Sequence, residues 1–300
     1  MFQTVLTNLI PMGIMMAIGL IARKTRLIND EISGGMSKIL VNITLPAMLI
    51  MGMQREFSAQ LLGSGLMVLG LTATQILLFC GFGFLIARLL KLPKEKRGAF
   101  GSATTFGNVG FMGIPIIVAI LGYEALFYAA IAQIPFNLLL FSLGTGIMSK
   151  SEVKTKFRPN TAFVAAFVGL GIFLTGWQIP DPISITLQHL GNMTTPLSML
   201  IMGAMIAKQP PKELIGDKTV LVLAMIKLIA VPTITWLALR HFISDPLALG
   251  TLIVLGAMPT AVMVVICAKE NAPAVEYASK AVFVTTVLSL LTLPLVSLIL

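Results

Sequence analysis

Residues 104–115 read Thr104-Thr105-Phe106-Gly107-Asn108-Val109-Gly110-Phe111-Met112-Gly113-Ile114-Pro115, inside an uncharged, apolar run over about 98–121. A run of that length reads as a membrane span. Three glycines and a proline within nine residues cannot form a stable straight helix. The span must therefore break near its middle. No strand precedes the glycines, so they are not a dinucleotide loop. A glycine face for packing a neighbouring helix is the structural alternative.

Working outward, the whole chain has the same character. Of 300 residues, 57% are hydrophobic and 11% charged, and mean hydropathy is +0.95. Ordinary globular chains are about 25% charged. A soluble domain, a coiled coil, a disordered tail and a single-span anchor are all excluded. Apolar runs without strand alternation predict an all-α integral membrane protein. Ten spans are expected, at about 4–22, 33–53, 61–88, 98–121, 123–148, 160–178, 183–206, 219–240, 246–268 and 274–299. The first run starts at once, without a basic leader, so no signal peptide is expected.

The net charge is +9. It is distributed as topology rather than as a nucleic-acid surface. Basic residues follow odd-numbered spans: Arg23, Lys24 and Arg26; Arg88, Lys91, Lys94, Lys96 and Arg97; Lys150, Lys154, Lys156 and Arg158; Lys208, Lys212 and Lys218; Lys269. Only Arg55 and Arg240 occupy the other loops. The positive-inside rule then predicts a multi-pass protein of the cytoplasmic membrane with both termini outside. Trp177 and Trp236 fall near outer helix ends, as an aromatic belt requires. Cys80 and Cys267 lie in apolar runs and read as small buried hydrophobes.

Five spans, a polar linker and five more predict a 5+5 inverted repeat. The units are 1–149, the linker 150–159, and 160–300. Asn42-Ile43-Thr44-Leu45-Pro46 in span two recurs as Asn192-Met193-Thr194-Thr195-Pro196 in span seven, 150 residues on. Met-Leu-Ile-Met-Gly follows in both, at 48–52 and 199–203. An odd number of spans per copy inverts the second, the architecture of many secondary transporters. Span nine carries Gly256-Ala257-Met258-Pro259-Thr260 at mid-depth. An offset of 144 pairs Pro115 with Pro259, Asn108 with Leu252 and Gly113 with Ala257. Spans four and nine are therefore expected to break and cross. Each proline is placed in the first turn of a second half-helix, whose positive N-terminus faces mid-membrane. The expected occupant of that point is an anion. The expected site is Asn108, Gly110, Gly113, Pro115, Gln133, Asn137, Pro259 and Thr260. Asn42, Pro46, Asn192 and Pro196 are expected to stabilise helices around it. No metal ligands and no cofactor are expected.

The Gly-Asn-Val-Gly-x-x-Gly-Ile-Pro stretch at 107–115, with ten spans and a short basic linker, resembles the auxin efflux carrier family. The likeness is to its prokaryotic branch, similar to malate and malonate permeases. The resemblance implies a fold distantly shared with bile acid–sodium symporters. Helices 1, 2, 6 and 7 would form a scaffold, and helices 3–5 and 8–10 a moving transport domain. It also implies a small organic anion substrate and a homodimer in the bilayer. The long hydrophilic loop of plant auxin carriers is missing, which argues against auxin itself.

The twelve acidic residues all lie in loops or near span ends, so a deep carboxylate relay is not expected. Lys227 lies inside span eight and is read as snorkelling to the cytoplasmic side; Lys38 and Lys280 near span ends read the same way. Sodium held by unwound carbonyls and Thr or Asn oxygens remains an alternative, as does a channel or sensor on the same fold. An enzyme is excluded. Paired intramembrane aspartates, a His-Glu-x-x-His helix and a Gly-x-Ser-x-Gly elbow are all missing from the sequence.

Overall fold

The computed structural model describes residues 2–148, 160–208, 210, 216–268 and 272–300. The linker 150–159 and the basic residues Lys212 and Lys269 lie outside the described residues. The described chain is helical, with one isolated two-residue bridge. Six helical stretches are long and apolar enough to cross a membrane, and shorter apolar helices accompany them.

The helices, in chain order, are α1 (Phe2–Lys24), α2 (Asp30–Ile39), α3 (Leu45–Met53), α4 (Ala59–Leu89), α5 (Lys94–Thr105), α6 (Ile114–Leu121), α7 (Leu126–Leu139) and α8 (Thr145–Met148). They continue as α9 (Thr161–Thr175), α10 (Asp181–Asn192), α11 (Thr194–Lys208), α12 (Lys218–Met225), α13 (Val231–Leu239), α14 (Pro246–Ala257), α15 (Val262–Cys267) and α16 (Ala272–Val296). Several predicted spans are thus two helices in series.

Three of those joints share one cause. Pro46, Pro115 and Pro232 each occupy the first turn of α3, α6 and α13. Each follows a five-residue π turn: Leu40–Thr44, Val109–Gly113 and Ile226–Ala230. Proline has no N–H, and its ring presses on the carbonyl four residues back. The backbone widens to clear it. The residue before each proline then bonds five residues back: Leu45 to Leu40, Ile114 to Val109 and Val231 to Ile226. Pro232 shows that the effect is not confined to spans two and four.

The outer surface is apolar. Ile10, Ile14, Ile18 and Ile21 line an exposed stripe of α1, and Leu66, Leu77, Leu78 and Leu85 are exposed on α4. Such surface is stable only against lipid. Charges gather at helix ends. Asp30 at the start of α2 joins Arg23 at 2.8 Å and Lys208 at 3.2 Å. Asp217 caps α12 through the Thr219 N–H and also accepts from the Thr219 hydroxyl. Burial opposes its ionisation, but those bonds and the nearby Lys96 outweigh it and hold its carboxyl below the ordinary value.

The closest helix pair is α1 with α11. Gly19 lies against the Leu200 backbone and Gly203 against the Met16 carbonyl. A Cβ at position 203 would stand 1.9 Å from that oxygen. Gly203→Ala should therefore separate the pair and lower stability by about 1–3 kcal/mol, the usual range for overpacking. Gly13→Ala, on the facing helix α1 and with nothing within 4 Å, is the control. Thermal unfolding of both variants in detergent checks this, and equal midpoints would refute it.

Candidate functional site at the helix crossover

The break in span four is Phe106-Gly107-Asn108, and the break in span nine is Met258 to Ala261. The two run antiparallel and pair. Asn108 N–H donates to the Pro259 carbonyl at 2.6 Å, and Ala261 N–H donates to the Phe106 carbonyl at 2.9 Å. Gly107 and Thr260 sit opposite each other between these bonds. Each break thus supplies what the other has lost by leaving its helix, as buried backbone must. Gly107 is required by the close approach. A Cβ there would lie 3.0 Å from Met258 Cβ and 3.2 Å from the Leu255 carbonyl.

Thr260 locks the crossing. It is fully buried, its hydroxyl donates to the Ala103 carbonyl at 2.9 Å, and its N–H donates to Thr285 Oγ1 at 3.0 Å. Its hydroxyl and N–H hold protein to protein, which makes Thr260 a strut of the crossing, and it is not among the walls of the cavity beside the crossover. Pro259 contributes its carbonyl to the pairing. It lies in the break itself, three residues before α15, rather than in a helical first turn. Pro115 is in such a turn, but well past the break. The bridge pairs Gly107 with Thr260 and, being antiparallel, sets Asn108 opposite Pro259 and Phe106 opposite Ala261. Leu252, matched to Asn108 by the 144-residue offset, is buried in α14.

Beside the crossover lies a cavity of about 400 Å³. Asn108, Gly110, Gln133 and Asn137 line it, as does Asn42. Gly113 and Pro115 are buried away from it, Gly113 against Met258 and Leu255. Pro46, Asn192 and Pro196 are not among its walls either. Two lining residues that sequence reasoning did not assign to the site are Asn160 and Lys38. Lys38 is exposed at the cavity and is its one charged wall residue. Asn160 stands just before an apolar run, the usual mark of a helix N-cap. Nothing in the sequence linked that cap to Asn137, 23 residues earlier.

The carboxamides are oriented in sequence by one another. Asn160 Oδ1 accepts from Phe163 N–H at 2.7 Å, capping α9. Its amine must then point away, and it donates to Asn137 Oδ1 at 2.7 Å. Asn137 Nδ2 in turn donates to the Gln133 carbonyl at 2.8 Å and to Gln133 Oε1 at 3.1 Å. A carboxamide has one acceptor and one donor end. The chain therefore leaves the Gln133 amine as its open end. Asn108 is fixed the same way. Its Oδ1 accepts from Phe111 N–H at 3.3 Å, capping the half-helix, and its Nδ2 meets only the Met202 sulfur, at 3.5 Å. A thioether is a weak acceptor. Two amide donors and the Lys38 ammonium thus serve one cavity, with no carboxylate on its walls among the described residues.

Lys227 does not snorkel. It is 1% exposed, and its Nζ donates to the Thr105 carbonyl at 3.1 Å, at the end of α5. Sequence position gave its depth but not its direction.

An all-helical chain with a lipid-facing surface, interrupted helices and a polar cavity at the interruption is a membrane transporter. The family model described as "Membrane transport protein" matches residues 4–162 and 145–297. The chain belongs to that family, the auxin efflux carrier family. Three relatives share its length. An "Uncharacterized transporter" of Methanothermobacter thermautotrophicus is 27% identical over 99% of this chain and 98% of its own. A Rhizobium meliloti protein named "Putative malonate transporter" is 23% identical over 87% and 85%. A further "Uncharacterized transporter", of Methanocaldococcus jannaschii, is 25% identical over 94% of each. These are transporters and not enzymes.

Thr260→Val should keep the shape of the strut but leave the Ala103 carbonyl unpaired. The expected loss is about 1–3 kcal/mol of stability. Thr260→Ser keeps the hydroxyl and should lose far less. Thermal unfolding of the pair decides it, and equal loss in both would show that the methyl, not the hydroxyl, holds the crossing.

Proposed function

We propose that this protein is a secondary transporter that moves a small organic anion, a mono- or dicarboxylate, by alternating access around the crossover of spans four and nine. The observation that carries the reading is the orientation of the Asn108 and Gln133 amides. Both line the cavity beside Lys38 with their carbonyls engaged; the Gln133 amine is the open end of its chain, and the Asn108 amine is held only by a thioether. A carboxylate has only acceptors, so it matches donors fixed in this way. Meeting Met202 sulfur costs Asn108 little when a charged acceptor arrives. The name of the Rhizobium meliloti relative supports the substrate class.

In this proposal the chain is a 5+5 inverted repeat of ten membrane helices in the cytoplasmic membrane, with both termini outside. The extensive packing of α1 on α11 and of α3 on α9 and α10 supports a scaffold of spans 1, 2, 6 and 7. The packing of α4 on α5 and α7, and of α16 on α5 and α12, supports a transport domain of spans 3–5 and 8–10. The anion cavity has walls from both groups. A second cavity of about 560 Å³ shares Ser37, Met205 and Val262 with it and includes Arg23 and Lys208. Asp30 lines it too and pairs with both, so the three together carry one net positive charge. A homodimer follows from the family likeness alone.

Malonate, malate and acetate should be screened by thermal shift on purified protein, then by uptake into liposomes with and without sodium. A carrier shows saturable uptake that accelerates when substrate is loaded on the far side; a channel does not. Asn108→Leu removes one amide bond to a charged ligand, worth about 1.5–3 kcal/mol, or roughly tenfold to a hundredfold in affinity. Calorimetry measures this. Unchanged affinity would return Asn108 to a purely capping role.

Orientation has its own test. On a background lacking Cys80 and Cys267, cysteine at Glu95 should resist a membrane-impermeant thiol reagent in intact cells, and cysteine at Arg55 should react. The reverse pattern would invert the topology. Lys154, an equivalent cytoplasmic marker, lies outside the described residues.

A further inference from the structure

The crossover has a second polar side. There α5 stops at Thr105 and α14 stops at Ala257. The last carbonyls of a helix lack intrahelical partners and carry the negative end of its dipole. A cavity of about 30 Å³ lies at this place, and Thr105, Gly107, Leu255, Gly256, Thr72 and Lys227 are among its walls. Lys227 is the one charged side chain buried among the described residues. Thr72, from α4, is 5% exposed, and its hydroxyl oxygen has no hydrogen-bond partner among the described residues.

An ammonium buried at membrane depth is expensive unless something compensates it. No carboxylate lines this cavity among the described residues. The compensation comes from the Thr105 carbonyl and the neighbouring helix ends. Carbonyls of interrupted helices and threonine hydroxyls are also the oxygens that hold monovalent metal ions in transporters. The set here is of that kind, and a lysine fills it.

We propose that Lys227 occupies a monovalent-cation site with its own ammonium, as a tethered counter-charge for the ends of α5 and α14. Lys227 is a positioning residue. It touches the crossover from the side opposite the anion cavity, and it holds the Thr105 end of α5 without a bound inorganic cation. The assignment does not depend on which anion is carried. It makes the parental protein insensitive to the choice of monovalent cation.

Truncation converts the tethered site into an open one. Lys227→Ser removes the ammonium and its four-carbon stem, leaving room for a small cation. Lys227→Met removes the charge but keeps the volume filled. Thermal unfolding is measured in choline, sodium and methylammonium chlorides at equal ionic strength; choline is too large for the space. In choline, both variants should unfold below the parental protein. Methylammonium or sodium should raise the midpoint of Lys227→Ser by on the order of 3 °C when present at about ten times its dissociation constant. The parental protein and Lys227→Met should not respond. A merely space-filling lysine gives no such cation-specific recovery. The proposal is overturned if Lys227→Met is as stable as the parental protein, or if neither cation shifts Lys227→Ser. Should Lys227→Ser be unrecoverable in choline, purification in methylammonium is the same test: recovery supports the site, and failure in both salts overturns it.

Discussion

Two backbone hydrogen bonds, Asn108 to Pro259 and Ala261 to Phe106, organise the interior of this protein. Unpaired backbone is intolerable in hydrocarbon, so neither break could exist by itself. Each is stable only because the other is antiparallel to it at the same depth. The requirement then spreads. Gly107 must lack a side chain for the strands to approach. Thr260 must reach Ala103 and Thr285 to fix the crossing. The ends of α5 and α14 must find positive charge, and Lys227 meets the first of them.

The same crossing separates two electrical environments. On one side, side-chain amines and Lys38 meet in a cavity without acids. On the other, helix carbonyls surround a buried ammonium. The polarity of the first side is inherited through a chain of carboxamides. It begins at a helix cap, Asn160 on Phe163, and passes through Asn137 to Gln133. A capping contact with no apparent bearing on transport thereby sets which end of Gln133 a ligand meets.

The prolines show how far pattern reading reaches. Their mid-span positions and the neighbouring glycines correctly marked interrupted helices, because proline's missing N–H is a local property. They did not tell a widened helix from a break. Pro115 widens a helix into a π turn, whereas Pro259 lies inside a break. One residue type produces both outcomes, and only the partner backbone distinguishes them. Asn108, Gln133 and Asn137 were legible as costly amides that must face a cavity or a helix, and they do meet. Gly113, Pro115, Pro259 and Thr260 were grouped with them through the matched breaks of spans four and nine, yet they are not among the cavity walls.

Composition alone determined that the chain lives in lipid, that it is helical, and that its charges belong at helix ends. Those follow from transfer free energies, which depend on residue type and not on neighbours. The break at 106–108 was also local information. The tertiary structure decided the rest: that the breaks pair at Gly107 and Thr260, that Asn160 and Lys38 join the cavity, and that Lys227 turns inward. Each of these is a contact between residues on separate helices. A hydrogen bond's direction depends on which atom stands opposite, and a single sequence does not record what stands opposite.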